Sequence, residues 1–120
     1  MEDLKIGEIE YRFMCIIWDK EPLNSGELVH KAEEKLGWKK STTYTTLKKL
    51  SQKQLIQNVD STVTSLVPRE KMQVYRSEKF VENTFGGSLP GFLVSFLGGK
   101  KLSAKEAENL KKIIDSFEEK

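Results

Sequence analysis

The sequence predicts a mainly α-helical chain with one small β-hairpin, and three observations predict it. Apolar residues recur at helical spacing in several separate segments. A single stretch, "LIQNVDSTVTSLVP", concentrates Val, Ile and Thr around an Asp-Ser turn signal. Glycine and proline clusters, "GGSLPG" and "GGKK", interrupt the helical pattern late in the chain. At 120 residues the chain suits one domain, or one small domain plus an interaction tail.

The first helix is expected over 7–20, with Ile9, Phe13, Ile16 and Ile17 on its apolar stripe and Met14 and Trp18 beside them. Cys15, inside the apolar run "FMCIIW", is expected to be a small buried hydrophobe. "DKEPLN" breaks the pattern at Pro22. Asn24 followed by Glu27 reads as a capping box for a second helix, whose stripe is Leu28, Val29, Ala32 and Leu36 and whose stop is Gly37. A third helix runs to about Lys53. Its inward side is thin, with Leu47 and Leu50 helped by Thr43 and Thr46. Local chemistry favours Ser41 as its N-cap, with Lys39 as the alternative one turn earlier. Strands at Ile56–Val59 and Val63–Val67 form the hairpin. Pro68 suits the first position of a fourth helix edged by Met72, Tyr75, Phe80, Val81 and Phe85. A short helix is expected at 92–97. A last one follows the Ser103/Glu106 capping box, lined by Ala107, Leu110, Ile113, Ile114 and Phe117.

Charge is unevenly placed. Residues 1–34 hold four basic and nine acidic side chains, whereas Lys35–Lys53 hold six lysines and no acid. Three helices followed by a hairpin is the order of a winged helix-turn-helix, and that layout explains the acid-free window. A recognition helix buries one side on its neighbours and leaves the other bare for the major groove of DNA. There lysines neutralise phosphates and release counterions. Hydroxyls donate to phosphates or base edges. A carboxylate would be repelled. On this reading Ser41, Thr42, Tyr44 and Thr45 meet base edges or their surroundings, and Lys40, Lys48 and Lys49 meet phosphates.

Other chemistry finds little footing. One cysteine excludes an internal disulfide or a cysteine-rich metal site. His30, the only histidine, has no second histidine or cysteine to complete a metal site, and no strand–turn–nucleophile motif accompanies it. The glycine pairs lack the phosphate-loop Lys-Ser/Thr. No enzyme activity, metal or cofactor is expected. The acidic N-terminus lacks the apolar run of a signal peptide, and no segment approaches a membrane span, so a cytoplasmic protein without membrane insertion is expected.

The last third carries Phe80, Phe85, Phe92, Phe96, Leu97, Leu110, Ile113, Ile114 and Phe117 in short, broken helices. Short helices cannot hide such surfaces alone. Burying each contributes ~1.5–3 kcal/mol, so half of the nine would supply ~7–14 kcal/mol, on the scale of the ~4–15 kcal/mol cost of association, and all nine would exceed most of that range. They can pack on the winged domain or interlock with a second chain, and the second, a homodimer, is the favoured expectation. Its two-fold axis would set two recognition helices roughly 34 Å apart on a palindrome.

The residues resemble the penicillinase-repressor group, the BlaI/MecI/CopY transcriptional regulators. "IGEIEYRFMCIIWDK" is similar to the family's first helix, and "GWKKSTTYTTLKKLSQKQLI" to its recognition helix and exit into the wing. The stretch from "SLVPREKMQVYRSEKF" to "AENLKKII" is similar to the dimerisation region of the methicillin-type repressors. The resemblance implies a homodimeric repressor on a promoter. It also implies relief by cleavage in the dimerisation region, through a protease linked to a membrane sensor of β-lactams. The matching position falls between Ser95 and Phe96. The cysteine-rich C-terminal site of the copper-responsive branch is absent. Departures from the family pattern are Lys39 where a small polar cap often begins the third helix, Gln54 where Gly is usual, Ser95 where Asn is typical, and a wing about four residues shorter whose tip, Asp60-Ser61-Thr62, has no basic residue.

The expectation is therefore a winged helix-turn-helix over 1–67 that binds operator DNA, followed by a helical dimerisation region over 68–120. Two rivals remain open: a winged module that docks an acidic protein partner, and a repressor relieved by a small molecule.

Overall fold

The computed structural model of the chain describes residues 1–119. Six helices and three short strands follow in the order α1 (Glu8–Lys20), β1 (Leu23–Asn24), α2 (Ser25–Leu36), α3 (Lys40–Gln52), β2 (Ile56–Val59), β3 (Thr62–Ser65), α4 (Arg69–Phe85), α5 (Leu89–Leu97) and α6 (Ala104–Phe117). The chain divides into two compact units, Met1–Glu78 and the residues from Lys79 onward. The mainly helical class with a small antiparallel sheet, and the winged arrangement of the first unit, are as the sequence predicts.

In the first unit, α1 starts at Gly7, whose N–H donates to the Glu10 carboxylate at 3.0 Å. Phe13, Met14, Ile16 and Ile17 are buried. Ile9 is exposed instead of joining them, and Leu4 and Ile6 pack on the core from the N-terminal segment. Cys15 is only partly buried, contrary to expectation. It sits at the edge of the stripe and lines an open cavity of about 220 Å³ with Arg12, Asp19 and Lys35.

Leu23 and Asn24 form a strand the sequence did not suggest. They pair antiparallel with Val63 and Thr62, which makes the sheet three-stranded in the order β1-β3-β2. Asn24 also caps α2: its side chain accepts from Gly26 N–H at 2.8 Å, and Glu27 closes the box at 3.4 Å. Gly37 ends the helix at φ +69°, a conformation that costs a glycine nothing.

The start of α3 resolves in favour of Lys39, which is the N-cap although its side chain makes no cap bond. The cause is Thr43, which is fully buried. Its N–H donates to the Lys39 carbonyl at 3.2 Å and its hydroxyl to the same oxygen at 3.5 Å. The Lys39 carbonyl thus satisfies both buried donors of Thr43, whereas a Ser41 cap would take only its N–H, at the N2 position, and leave the buried hydroxyl without that acceptor. Leu47 and Leu50 complete the buried side, and Thr46 is partly buried.

Gln54, at φ +60°, carries the chain from α3 into β2. Asp60 and Ser61 turn the hairpin with φ of 50° and 64°, the two left-handed positions that a two-residue hairpin turn of matching twist requires. The ladder closes with Ile56 opposite Ser65, so the second strand is Thr62–Ser65 rather than Val63–Val67, and Val67 enters the core beyond it. Pro68 lies just outside α4, its carbonyl accepting from Met72 N–H at 3.3 Å.

The first half of α4 is clipped to α1 twice. Arg69 pairs with Asp19, donates to the Cys15 carbonyl at 3.2 Å and lies 5.5 Å from the Trp18 ring. Arg76 pairs with Glu8 at 2.6 Å and lies 4.3 Å from the Tyr11 ring. Between these clips, Met72 is fully buried. The hydrogen bond from Arg69 holds the Asp19 carboxyl below its ordinary range, against a smaller opposing effect of burial, and raises Arg69 in turn.

The second unit is an aromatic cluster with helical walls. Phe80, Phe85, Phe92 and Phe96 meet at centroid distances of 5.6–6.0 Å. Helix α5 begins at Leu89, three residues before the expected 92, because Ser88 caps it through Gly91 N–H at 3.0 Å and Pro90 is tolerated in its first turn. Ser103 caps α6 through Glu106 N–H at 3.1 Å. Among its described residues, none is fully buried.

Candidate nucleic-acid interface

Helix α3 turns Thr43, Leu47 and Leu50 inward, which leaves Lys40, Ser41, Thr42, Tyr44, Thr45, Lys48 and Lys49 exposed. This exposed surface is continuous and carries no carboxylate of its own. Among the described residues, the hydroxyls of Ser41, Thr42 and Thr45 have no protein partner and are available to an outside acceptor or donor. Thr46 is different: its hydroxyl donates back to the Thr42 carbonyl at 2.8 Å. The Tyr44 hydroxyl donates to Ser25 Oγ at 3.4 Å, which leans the ring toward the start of α2, and the Lys40 ammonium lies 6.0 Å from that ring.

The lysines fall into two groups. Among the described residues, Lys39, Lys40 and Lys48 have no carboxylate within ion-pair distance. Lys49 donates to Glu10 at 2.8 Å, and Lys53 lies 3.8 Å from Asp3 and donates to the Lys5 carbonyl. Burial pushes the Glu10 carboxyl up. The Lys49 hydrogen bond, the Gly7 N–H and the nearby lysine charges outweigh that and hold it below its ordinary range. Sequence reading missed these pairs, since the acids arrive from the N-terminal segment, 39 and 50 residues upstream of their lysines.

The wing tip, Asp60-Ser61-Thr62, is exposed and polar. Behind it the Gln57 amide donates to the Thr64 hydroxyl at 3.2 Å. In the second unit, Phe80, Phe96, Leu110, Ile113, Ile114 and Phe117 are all exposed, Phe117 by 84%, while Phe85, Phe92 and Leu97 are partly buried. An apolar cavity of about 430 Å³ opens between α5 and α6, lined by Phe92, Phe96, Leu97 and Leu110. Ser95 and Phe96 lie near the end of α5, both exposed and within the helix. His30 is exposed on α2. No group of His, Cys, Asp or Glu among the described residues could hold a metal ion, and no helix is long and apolar enough to cross a membrane.

Comparison with known proteins points the same way. Residues 6–116 match the family model described as penicillinase repressor. The penicillinase repressor of Staphylococcus aureus is 22% identical over 99% of this chain and 98% of its own length. The methicillin resistance regulatory protein MecI of S. aureus strain Mu50 is 24% identical over 92% of this chain and 94% of its own. The MecI of Mammaliicoccus sciuri matches to the same extent. With an end-to-end family match and a winged unit that presents a hydroxyl-rich cationic helix, the chain belongs to the penicillinase repressor family, whose members are transcriptional regulators and not enzymes.

Proposed function

We propose that the chain is a homodimeric repressor that sets α3 in the major groove of a palindromic operator in the cytoplasm. The observation that carries this reading is the outer face of α3: three unengaged hydroxyls and unpaired lysines, with no acid over the nineteen residues Lys35–Lys53. Ser41, Thr42, Tyr44 and Thr45 read base edges or their surroundings, and Lys40 and Lys48 meet phosphates. Lys49 stands at the same edge, already paired.

Residues 1–67 form the DNA-binding part and 68–120 pair the subunits. Support for pairing comes from the second unit, whose large apolar side chains stay exposed in a single chain. Relief by a sensor-linked protease at Ser95–Phe96 extends the reading. Proteases take extended backbone, so α5 must unwind at its last turn before the bond is cut.

A gel-shift titration on promoter DNA at two salt concentrations tests the core of the proposal. The expected result is tight binding that weakens steeply with salt and a palindrome enriched from random duplexes. Lys48→Ala lowers the salt slope by about 1 on all sequences, whereas a change at Thr45 alters sequence preference. Duplex affinity no better than weak and sequence-independent would favour the rival, a module docking an acidic protein. Incubation with the sensor protease and a search for a cut near Phe96 separates proteolytic from small-molecule relief.

A further inference from the structure

Glu10 occupies an unusual place for a carboxylate in a protein read as binding DNA. It lies on α1, yet its Oε2 reaches across to the Lys49 ammonium at 2.8 Å, on the recognition helix itself. Its other oxygen accepts from Gly7 N–H at 3.0 Å as part of the α1 cap. The side chain is only 14% exposed, against 56% for Lys49. The carboxylate is thus fixed at both oxygens, and the lysine bends toward it. Lys48, one residue earlier, has no such partner among the described residues.

We infer that Glu10 is an intramolecular competitor for phosphate: it keeps Lys49 from neutralising the DNA backbone and so lowers affinity for duplexes of any sequence. The inference rests on the DNA-binding reading above. A phosphate that takes Lys49 must leave behind a largely enclosed carboxylate without its cation, so the gain from one contact is offset by the loss of another. Sequence-independent binding is carried by cations that release counterions, each adding about 0.9 to the salt slope. A lysine that already has a resident counter-charge adds little to that sum. The low position of the Glu10 carboxyl means the pair is intact at neutral pH.

The test is a double-substitution cycle on the full chain, read as the slope of log affinity against log salt on a duplex of random sequence. Glu10→Gln keeps an oxygen for the Gly7 N–H and removes the charge. It is expected to steepen the slope by about 1, which is about a fourfold wider change in affinity between 50 and 200 mM salt. Adding Lys49→Ala to Glu10→Gln should remove that gain. A slope unchanged by Glu10→Gln, or a gain that persists without Lys49, overturns the inference while leaving DNA binding intact. Absence of any salt-dependent duplex binding by the unaltered protein sinks the DNA reading, and this inference with it. NMR titration of the Glu10 carboxyl reads the pair independently of DNA. Lys49→Ala should raise its midpoint, and no rise overturns the inference.

Discussion

The two units of this chain solve the same problem differently. In Met1–Glu78, fourteen apolar side chains are buried around α1, α2, α3 and the sheet. From Lys79 onward the described residues include none that is fully buried, although that segment holds five of the chain's six phenylalanines. The first unit completes its own core. The second has the composition of a core and the exposure of a surface, and its aromatic cluster is a core left open on one side.

The comparison breaks most visibly where the proposed pairing is attacked. Ile113, 54% exposed, and Ile114 lie on the outer side of α6. Replacing both with Lys should raise the dimer dissociation constant by about 10³-fold or more, or ~4 kcal/mol, since charges would be desolvated at a paired surface. Sedimentation at micromolar concentration checks this; a monomeric parent protein, or a variant that pairs as before, would refute the pairing role. The melting of the winged unit should be unaffected.

In the closed core the largest response comes from truncation. Leu50→Ala should cost about 2–5 kcal/mol, because the site is fully buried and can relax only in part. Urea denaturation measures it, and a loss under 1 kcal/mol would mean that this core is looser than its packing implies. A smaller effect of opposite sign is expected at Gln54. Its φ of +60° is strained for a residue with a Cβ, so Gln54→Gly should add roughly 0.5–1 kcal/mol, a rise of several degrees in melting temperature.

The smallest effect concerns pH. Glu10 and Asp19 are both held below the ordinary carboxylate range by Lys49 and Arg69. Groups depressed in the folded state contribute stability above their unfolded values and lose it as pH falls through the folded ones. Stability of the winged unit should therefore fall below about pH 4, by under ~1 kcal/mol for each of these partly exposed pairs. Glu10→Gln should flatten that fall by its own share; an unchanged urea midpoint profile from pH 7 to 3 would show that the Glu10 pair adds nothing to folding.

Much of the architecture was legible because it is local. Asn24 with Glu27, Gly37 and the Asp60-Ser61 turn carry their instructions within a few residues. The bare face of α3 was legible too, as a run without acids. What escaped depends on distant partners. Leu23–Asn24 is too short to show any period and becomes a strand only against Val63 and Thr62. Ser41 is the better cap locally, but the burial of Thr43 moves the start of α3 to Lys40. "GGSLPG" reads as a break, yet Ser88 lets Leu89 and Pro90 begin a helix. The Glu10–Lys49 pair joins residues 39 positions apart and leaves no trace in spacing.

Arg69 and Arg76 stand two turns apart on α4, and their ring partners, Trp18 and Tyr11, stand two turns apart on α1 in the reverse direction. The two helices are therefore joined at two points by clips of the same kind. Because each clip combines an ion pair with a ring contact, a slide of one turn, about 5.4 Å, would displace both arginines from their rings and their carboxylates in the same movement. The two clips therefore fix the register of this half of α4 on α1 at two points rather than one.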